Sequence, residues 1–187
     1  MSLAYLFLAE GFEEIEALTP VDVLRRAGID VRTVSVGQDL LVTGRSGICV
    51  RADLLFEECD ADSADLLILP GGMPGTRNLA EHKGLTEVLL KADREKKLIA
   101  AICAAPTVLG GLHITDGRRA TSYPGTQGGM KGCIYVEDEA VITDGHIVTS
   151  RGAGTAMEFS LKLAELLAGP DKSAEVARGI VWMAGRA

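Results

Sequence analysis

Short apolar runs alternate with longer amphipathic stretches along most of the chain. Runs rich in aliphatic and β-branched residues predict core strands at 4–9, 31–36, 66–69 and 98–102. Shorter runs at 141–143 and 147–150 flank a predicted turn, and 48–54 is expected to pair with 40–43 as a small hairpin. This alternation is typical of βαβ units, so it predicts an α/β fold with a mostly parallel, buried sheet.

The stretches between these runs carry apolar residues at helical spacing. One helix is predicted over 15–24, with a kink at Pro20 and an end at Gly28. Further helices are predicted at 85–96, 106–112, 156–168 and 173–182. We find no linker, internal repeat or low-complexity tract in the pattern, so residues 1–187 are predicted to form a single domain.

Composition and charge narrow the classes of function. The 187 residues are 47% hydrophobic and carry a formal net charge of −7, which disfavours binding to nucleic acid or to anionic membrane surfaces. No apolar run approaches the length of a membrane span, and the start of the chain has no leader pattern, so a cytoplasmic protein is expected. The four cysteines lack paired spacing, which indicates free thiols rather than disulfides or a metal site, and no cofactor is expected.

The segment around Cys103 passes from an apolar strand directly into a helix. A nucleophile at such an elbow needs small residues two positions before and after it, and Ala101 and Ala105 meet this requirement. Pro106 suits the first helical turn and leaves the upstream amides free to point at the sulfur. These amides are expected to lower the thiol pKa from about 8.5 towards ~3.5–7.5, which favours a thiolate. The alternative is a buried cysteine that serves only as a small hydrophobic residue.

Three loops follow predicted strands and should meet near Cys103 at one edge of the sheet. The Gly71-Gly72 pair lets backbone amides approach a ligand, and with the Ala104 amide it predicts an oxyanion-binding site, although a glycine pair also suits a simple tight turn. Glu16 is placed to reach inward, whereas Glu13 and Glu14 fit a solvated acidic first turn of a helix. Arg151 is a candidate for holding an anionic group, or else a member of a surface ion pair.

Five ordered motifs run along the chain: AEGFEEIE at 9–16, PVDVLRRAG at 20–28, LPGG at 69–72, AAICAAP at 100–106 and TSRGAGT at 149–155. Taken together, they resemble the ThiJ/PfpI superfamily, in particular the branch of Parkinson disease protein seven and the bacterial chaperone and deglycase proteins. This resemblance covers nearly the whole chain. It implies a flavodoxin-like three-layer α/β/α sandwich of the class I glutamine amidotransferase type.

The same resemblance assigns roles to individual residues. It implies that Cys103 is the reactive cysteine, that Glu16 is the acid hydrogen-bonded to it, and that Gly71, Gly72 and Ala104 supply oxyanion-binding amides. It further implies a homodimer with the first helix at the interface, which brings Arg26 near the partner's pocket. Where many relatives have a histidine this chain has Tyr123, so a histidine base is not expected. The three histidines present match no catalytic position of the family and are interpreted as structural: His82, His113 and His146.

Two functional hypotheses follow from these residues. The first is a cysteine-dependent enzyme that acts on small 2-oxoaldehydes or on glycated thiols and amines, without a cofactor. The second is a redox sensor or chaperone in which Cys103 is oxidised without turnover. A catalytically silent dimer is a third, because Tyr123 replaces the histidine.

Overall fold

The computed structural model describes residues 2–183, so Met1 and residues 184–187 at the two ends of the predicted domain lie outside the described part. The strands in chain order are β1 (Leu3–Leu8), β2 (Asp30–Ser35), β3 (Leu41–Thr43), β4 (Cys49–Arg51), β5 (Leu54–Leu55), β6 (Leu66–Leu69), β7 (Leu98–Ile102), β8 (Arg119–Ala120), β9 (Ile134–Tyr135), β10 (Val141–Asp144) and β11 (Ile147–Ser150). The helices are α1 (Glu14–Arg26), α2 (Gly75–Glu81), α3 (Lys83–Glu95), α4 (Pro106–Gly111), α5 (Ala156–Ala168) and α6 (Pro170–Gly179).

A seven-stranded sheet forms the centre of the molecule, in the order β10-β11-β7-β6-β1-β2-β5. All neighbouring strands are parallel except β10, which runs antiparallel to β11. The core strands confirm the pattern-based prediction of a mostly parallel sheet. The hairpin prediction is correct for β3 and β4 but wrong for residue 54, which pairs with β2 as part of a new edge strand.

Apolar side chains cover both faces of the sheet. Along β1, Leu6 and Leu8 point into one hydrophobic cluster, which includes residues of α1, α5 and α6, while Tyr5 and Phe7 point into a second cluster with residues of α2, α3 and α4. A strand that is buried on both faces reads as a continuous apolar run, as 4–9 does. The result is the flavodoxin-like three-layer sandwich that the resemblance implied.

The helix predictions differ from the structure mainly at their ends. Helix α1 runs unbroken through Pro20, and α6 begins at Pro170 rather than at residue 173, because proline suits a first helical turn. Helix α2 was not predicted at all. Among residues 2–183, no helix has both the length and the apolar composition needed to cross a bilayer.

The topology places an opening at the carboxyl ends of the central strands. After β1 the chain crosses through α1 on one face, whereas after β6 it crosses through α2 and α3 on the other face. Connections that diverge in this way leave a crevice between adjacent strands, which is where open α/β sheets bind ligands. The loops after β1, β6 and β7 therefore meet at this edge.

Candidate active site

Cys103 occupies the turn between β7 and α4 in a strained backbone conformation. Its φ angle is 65°, in the left-handed region that costs a non-glycine residue about 1–2 kcal/mol. Hydrogen bonds hold the turn from both sides: the Cys103 N–H donates to the Ser150 carbonyl at 3.0 Å, and the Cys103 carbonyl accepts from the Tyr123 N–H at 2.7 Å. The elbow is thus maintained by neighbouring segments, and its thiol is half-buried.

The carboxyl of Glu16 meets the thiol from helix α1. The side chain is only 1% exposed and forms a hydrogen bond with Cys103. Its Oε2 atom accepts the Gly71 N–H at 3.0 Å. A Cβ at residue 71 would lie 2.6 Å from that oxygen and 2.7 Å from the Cys103 Cβ, so only glycine fits between the two functional groups. In this structure the Gly71 amide holds Glu16, and its predicted part in binding an oxyanion stays a prediction.

The other two predicted amides do converge on the sulfur. The backbone N–H groups of Gly72 and Ala104 hydrogen-bond Cys103. Gly72 adopts a φ of 92°, and a Cβ there would lie 2.5 Å from the Glu13 nitrogen, so the glycine permits both the turn and the close approach. Two backbone donors therefore face the sulfur from different segments.

The electrostatics of the pair differ from the sequence-based expectation. Burial raises the pKa of Glu16 to about 7, even though its hydrogen bond to Cys103 acts in the opposite direction. Burial, and then the charge of Glu16 and its hydrogen bond, raise the pKa of the Cys103 thiol to about 12 against the pull of the two amides. The expectation of a thiolate near neutrality counted the two amides and not the desolvation, which acts in the opposite direction. Because the two groups share a hydrogen bond and interact strongly, they titrate as a coupled pair.

An open cleft adjoins the pair. Its volume is about 310 Å³, and its lining includes Tyr123, Arg151, Gly152 and Thr155. A Cβ at residue 152 would lie 3.3 Å from the Tyr123 Cδ2 and 3.9 Å from the Glu16 Oε1, so Gly152 stands between the cleft and the acid. Arg151 is half-buried, and within residues 2–183 no carboxylate forms an ion pair with it.

Comparison with known proteins identifies the family. The model of the DJ-1/PfpI family matches residues 3–166. The chain belongs to the DJ-1/PfpI family. Protein dj-1beta of Drosophila melanogaster is 40% identical over 179 residues, which cover 95% of this chain and 96% of that protein. The crystal structure of dj-1beta superposes with a TM-score of 0.94 at 39% identity, over 98% of this chain and 100% of that one.

Two further similarities bear on chemistry. The glutathione-independent glyoxalase DJR-1.2 of Caenorhabditis elegans is 36% identical over 176 residues, which cover 92% of this chain and 91% of the glyoxalase. The structure of oxidized DJ-1 from Toxoplasma gondii superposes with a TM-score of 0.94 at 34% identity and covers 98% of this chain and 100% of that chain.

The histidines of this DJ-1/PfpI protein make structural contacts. The Nδ1 atom of His82 accepts the Leu85 N–H at 3.0 Å and caps helix α3. His146 is 8% exposed, and its Nε2 lies 2.7 Å from Asp93. His113 bonds to a neighbouring aspartate at the surface. In the part of the chain that the structure describes, Tyr123 rather than a histidine lies beside the Cys103 elbow, with its side chain 52% exposed.

Arg26 does not contact the pair within its own chain. Its Nε lies 2.7 Å from the Asp22 carboxylate on the exposed side of α1. The implied place of Arg26 in a partner's pocket stays a prediction. All four cysteines are free thiols, as predicted.

Sequence reasoning missed the roles of the neighbouring acidic residues. The Glu13 carboxylate accepts the Glu16 N–H at 2.8 Å and caps α1. Glu14 is 6% exposed and accepts the Ser46 N–H at 2.8 Å, so the interpretation of both as a solvated acidic turn is wrong. A signal for the cap was present, since a polar residue three positions before Glu16 is typical of a helix N-cap. The tertiary contact of Glu14 had no local signal.

Proposed function

We propose that this protein is a cysteine-dependent enzyme that converts 2-oxoaldehydes to 2-hydroxy acids and acts on the adducts that such aldehydes form with thiols and amines. The observation that carries the proposal is the hydrogen-bonded pair of Cys103 and Glu16, in which a buried acid with a pKa near 7 faces a thiol at an elbow. The similarity to a named glutathione-independent glyoxalase supports it.

The reaction begins with a proton transfer within the pair. The Glu16 carboxylate accepts the thiol proton while the sulfur attacks the aldehyde carbon, which forms a C–S bond and a hemithioacetal. The amides of Gly72 and Ala104 face the sulfur and are placed to stabilise the negative oxygen that develops beside it. This sequence of events needs no free thiolate in the resting protein.

The same carboxyl then moves a proton between the two substrate carbons. Glu16 gives its proton to the hemithioacetal oxygen and takes the C1 proton, which leaves an enediolate. It then delivers that proton to C2 while the C1 hydroxyl proton passes to the C2 oxygen, which leaves a thioester on Cys103. Water adds to the thioester carbon, the C–S bond breaks, and a 2-hydroxy acid departs as the thiol regains its proton. The balance is one water added per aldehyde, with C1 oxidised and C2 reduced internally.

The cleft beside Gly152 would receive the substituent of the substrate. Tyr123 offers an aromatic wall and Arg151 a guanidinium that no carboxylate of residues 2–183 neutralises. We assign these two residues to substrate binding. A hemithioacetal or a glycated amine would place its larger part in this cleft while its carbonyl-derived carbon reaches Cys103.

The test is conversion of methylglyoxal to lactate, followed by proton NMR. Wild-type protein is expected to turn over, whereas Cys103→Ala and Glu16→Gln lose at least about a hundredfold in rate. Cys49→Ala is the matched control, because Cys49 is an exposed thiol outside the site. A wild-type rate no greater than that of Cys103→Ala would refute the enzyme.

A second candidate function is redox sensing, with or without chaperone activity. The two amides and the Glu16 acid surround the sulfur with donors that suit a sulfinate, and a structural relative is described in an oxidized form. Peroxide would transfer one oxygen per step and release water. Intact mass after mild peroxide treatment tests this: two stable oxygens on Cys103 support sensing, and their absence contradicts it.

A further inference from the structure

A closed ring of hydrogen bonds joins Glu13, Gly71 and Glu16. The Glu13 N–H donates to the Gly71 carbonyl at 2.9 Å, and the Gly71 N–H donates to the Glu16 Oε2 at 3.0 Å. The Glu16 N–H closes the ring by donating to the Glu13 Oε2 at 2.8 Å. Because each residue is both donor and acceptor, the ring fixes the start of α1 against the loop that follows β6.

The ring positions both the Gly72 amide and the Glu16 carboxyl, which hydrogen-bond Cys103. The next residue of that loop, Gly72, supplies an amide to Cys103, while Glu16 supplies the carboxyl. A movement of Glu13 would therefore shift a hydrogen-bond donor and the acid together. Among the side chains of residues 2–183, only that of Glu13 accepts the Glu16 N–H. Glu13 therefore fixes the position of Glu16 at the start of the helix.

The charge of Glu13 also faces Glu16. Burial is the largest cause that raises the pKa of Glu16, and the negative charge of Glu13 raises it further. Three groups lower it instead: the hydrogen bond to Cys103, the Gly71 amide and the charge of Arg45 in the β3–β4 loop. The groups that set the proton affinity of Glu16 therefore come from its own helix, the loop after β6, the elbow and this loop.

We propose that Glu13 is a positioning residue: through the ring with Gly71 it holds the Glu16 carboxyl against Cys103, and its negative charge opposes the ionisation of that carboxyl. This inference goes beyond the cap of a helix, because it assigns to Glu13 a separable geometric and electrostatic effect on the reactive thiol. It rests on the proposed use of the pair, but its principal readout does not require turnover.

The experiment measures alkylation of Cys103 by iodoacetamide as a function of pH, with the modified peptide quantified by mass spectrometry. Alkylation should rise as Glu16 becomes able to accept the thiol proton. Glu13→Ser keeps a cap for the Glu16 N–H without a charge, and Glu13→Ala removes both. Glu175→Gln is the matched control, because it removes a carboxylate from α6, which contributes nothing to the pair.

We expect the inflexion to move to lower pH in both Glu13 variants, since the repulsion that favours protonated Glu16 is gone. We further expect the plateau rate of Glu13→Ala to fall about fivefold below that of Glu13→Ser, the factor of a typical lost cap. In the Glu13 variants, kcat for methylglyoxal should fall while KM stays unchanged. An unmoved inflexion in Glu13→Ser overturns the electrostatic role, and equal plateaus in the two variants overturn the positioning role. If wild-type protein shows no turnover, the alkylation profiles still decide this inference.

Discussion

Replacing Gly71 by alanine should separate the two halves of the reactive pair. The backbone at this position does not require glycine, so the substitution adds no strain of φ. The added methyl would instead lie 2.6 Å from the Glu16 Oε2, 2.7 Å from the Cys103 Cβ and 3.0 Å from a backbone oxygen. Ordinary contact begins at 3.4 Å, so the carboxyl must retreat by about 0.8 Å.

A displacement of this size is large for catalysis. A misplacement of about 1 Å can cost ~10²-fold in rate, so kcat/KM for methylglyoxal should fall between about tenfold and a hundredfold. Overpacking of a filled site should also lower the free energy of unfolding by about 1–3 kcal/mol. The same methyl group therefore lowers both kcat/KM and the free energy of unfolding.

The assay compares Gly71→Ala with Gly111→Ala by methylglyoxal turnover and by urea unfolding. Gly111 is the matched control because it has an ordinary φ and no atom within 4 Å of its added Cβ. Turnover of Gly71→Ala equal to that of both wild type and Gly111→Ala would refute the reasoning, since the pair would then work without its close contact.

Three further predictions concern the stability of the fold. Gly72→Ala should lower the free energy of unfolding by about 1–3 kcal/mol more than Gly28→Ala. Both glycines have a positive φ, but only at residue 72 would the added Cβ meet a backbone nitrogen, at 2.5 Å. Equal losses of unfolding free energy in urea would contradict this. The folded-state pKa of Glu16 is raised from 4.5 to about 7, so its contribution is present below pH 4.5 and lost as pH rises through about 7. Glu16→Gln should therefore be more stable than wild type at about pH 8, by up to about 3 kcal/mol, with the difference fading in acid; a constant difference across pH would exclude this linkage. His146→Ala should lower the free energy of unfolding by about 1–3 kcal/mol, because it removes the hydrogen bond between His146 and Asp93, and turnover should stay unchanged. Loss of turnover in a folded variant would disprove a structural role.

The sequence predicted the parts of the fold that local patterns encode. β1 and β7 are apolar on both faces, so their runs stood out regardless of what covers them. The edge strand Leu54–Leu55 has only two residues and no measurable period, and its pairing with β2 depends on the sheet already being in place. Helix α2 begins with Gly75 and has little apolar periodicity, so it too depends on its surroundings.

The site was predictable to the level of which segments meet, and no further. Cys103, Glu16 and the Gly71-Gly72 loop all follow strand ends, so topology alone brings them to one edge. Which acceptor an amide chooses is decided by distances of a few tenths of an ångström between segments far apart in sequence. The sequence suggested only an oxyanion as the partner of the Gly71 N–H, whereas in the structure this N–H donates to Glu16.

The ionisation of the Cys103 thiol could not be predicted from its local sequence. The amides that favour a thiolate come partly from the residue after Cys103, so the sequence displays them, whereas desolvation comes from distant segments that cover the sulfur. Once that cover is included, the pKa of the Glu16 carboxyl is raised to about 7 and the pKa of the Cys103 thiol to about 12, so burial disfavours the charged form of both groups. When Glu16 is ionised, it can act as a base towards the thiol beside it. The reactivity of Cys103 is therefore a property of the pair, and any change that moves Glu16 should alter the sulfur as strongly as a change at the elbow itself.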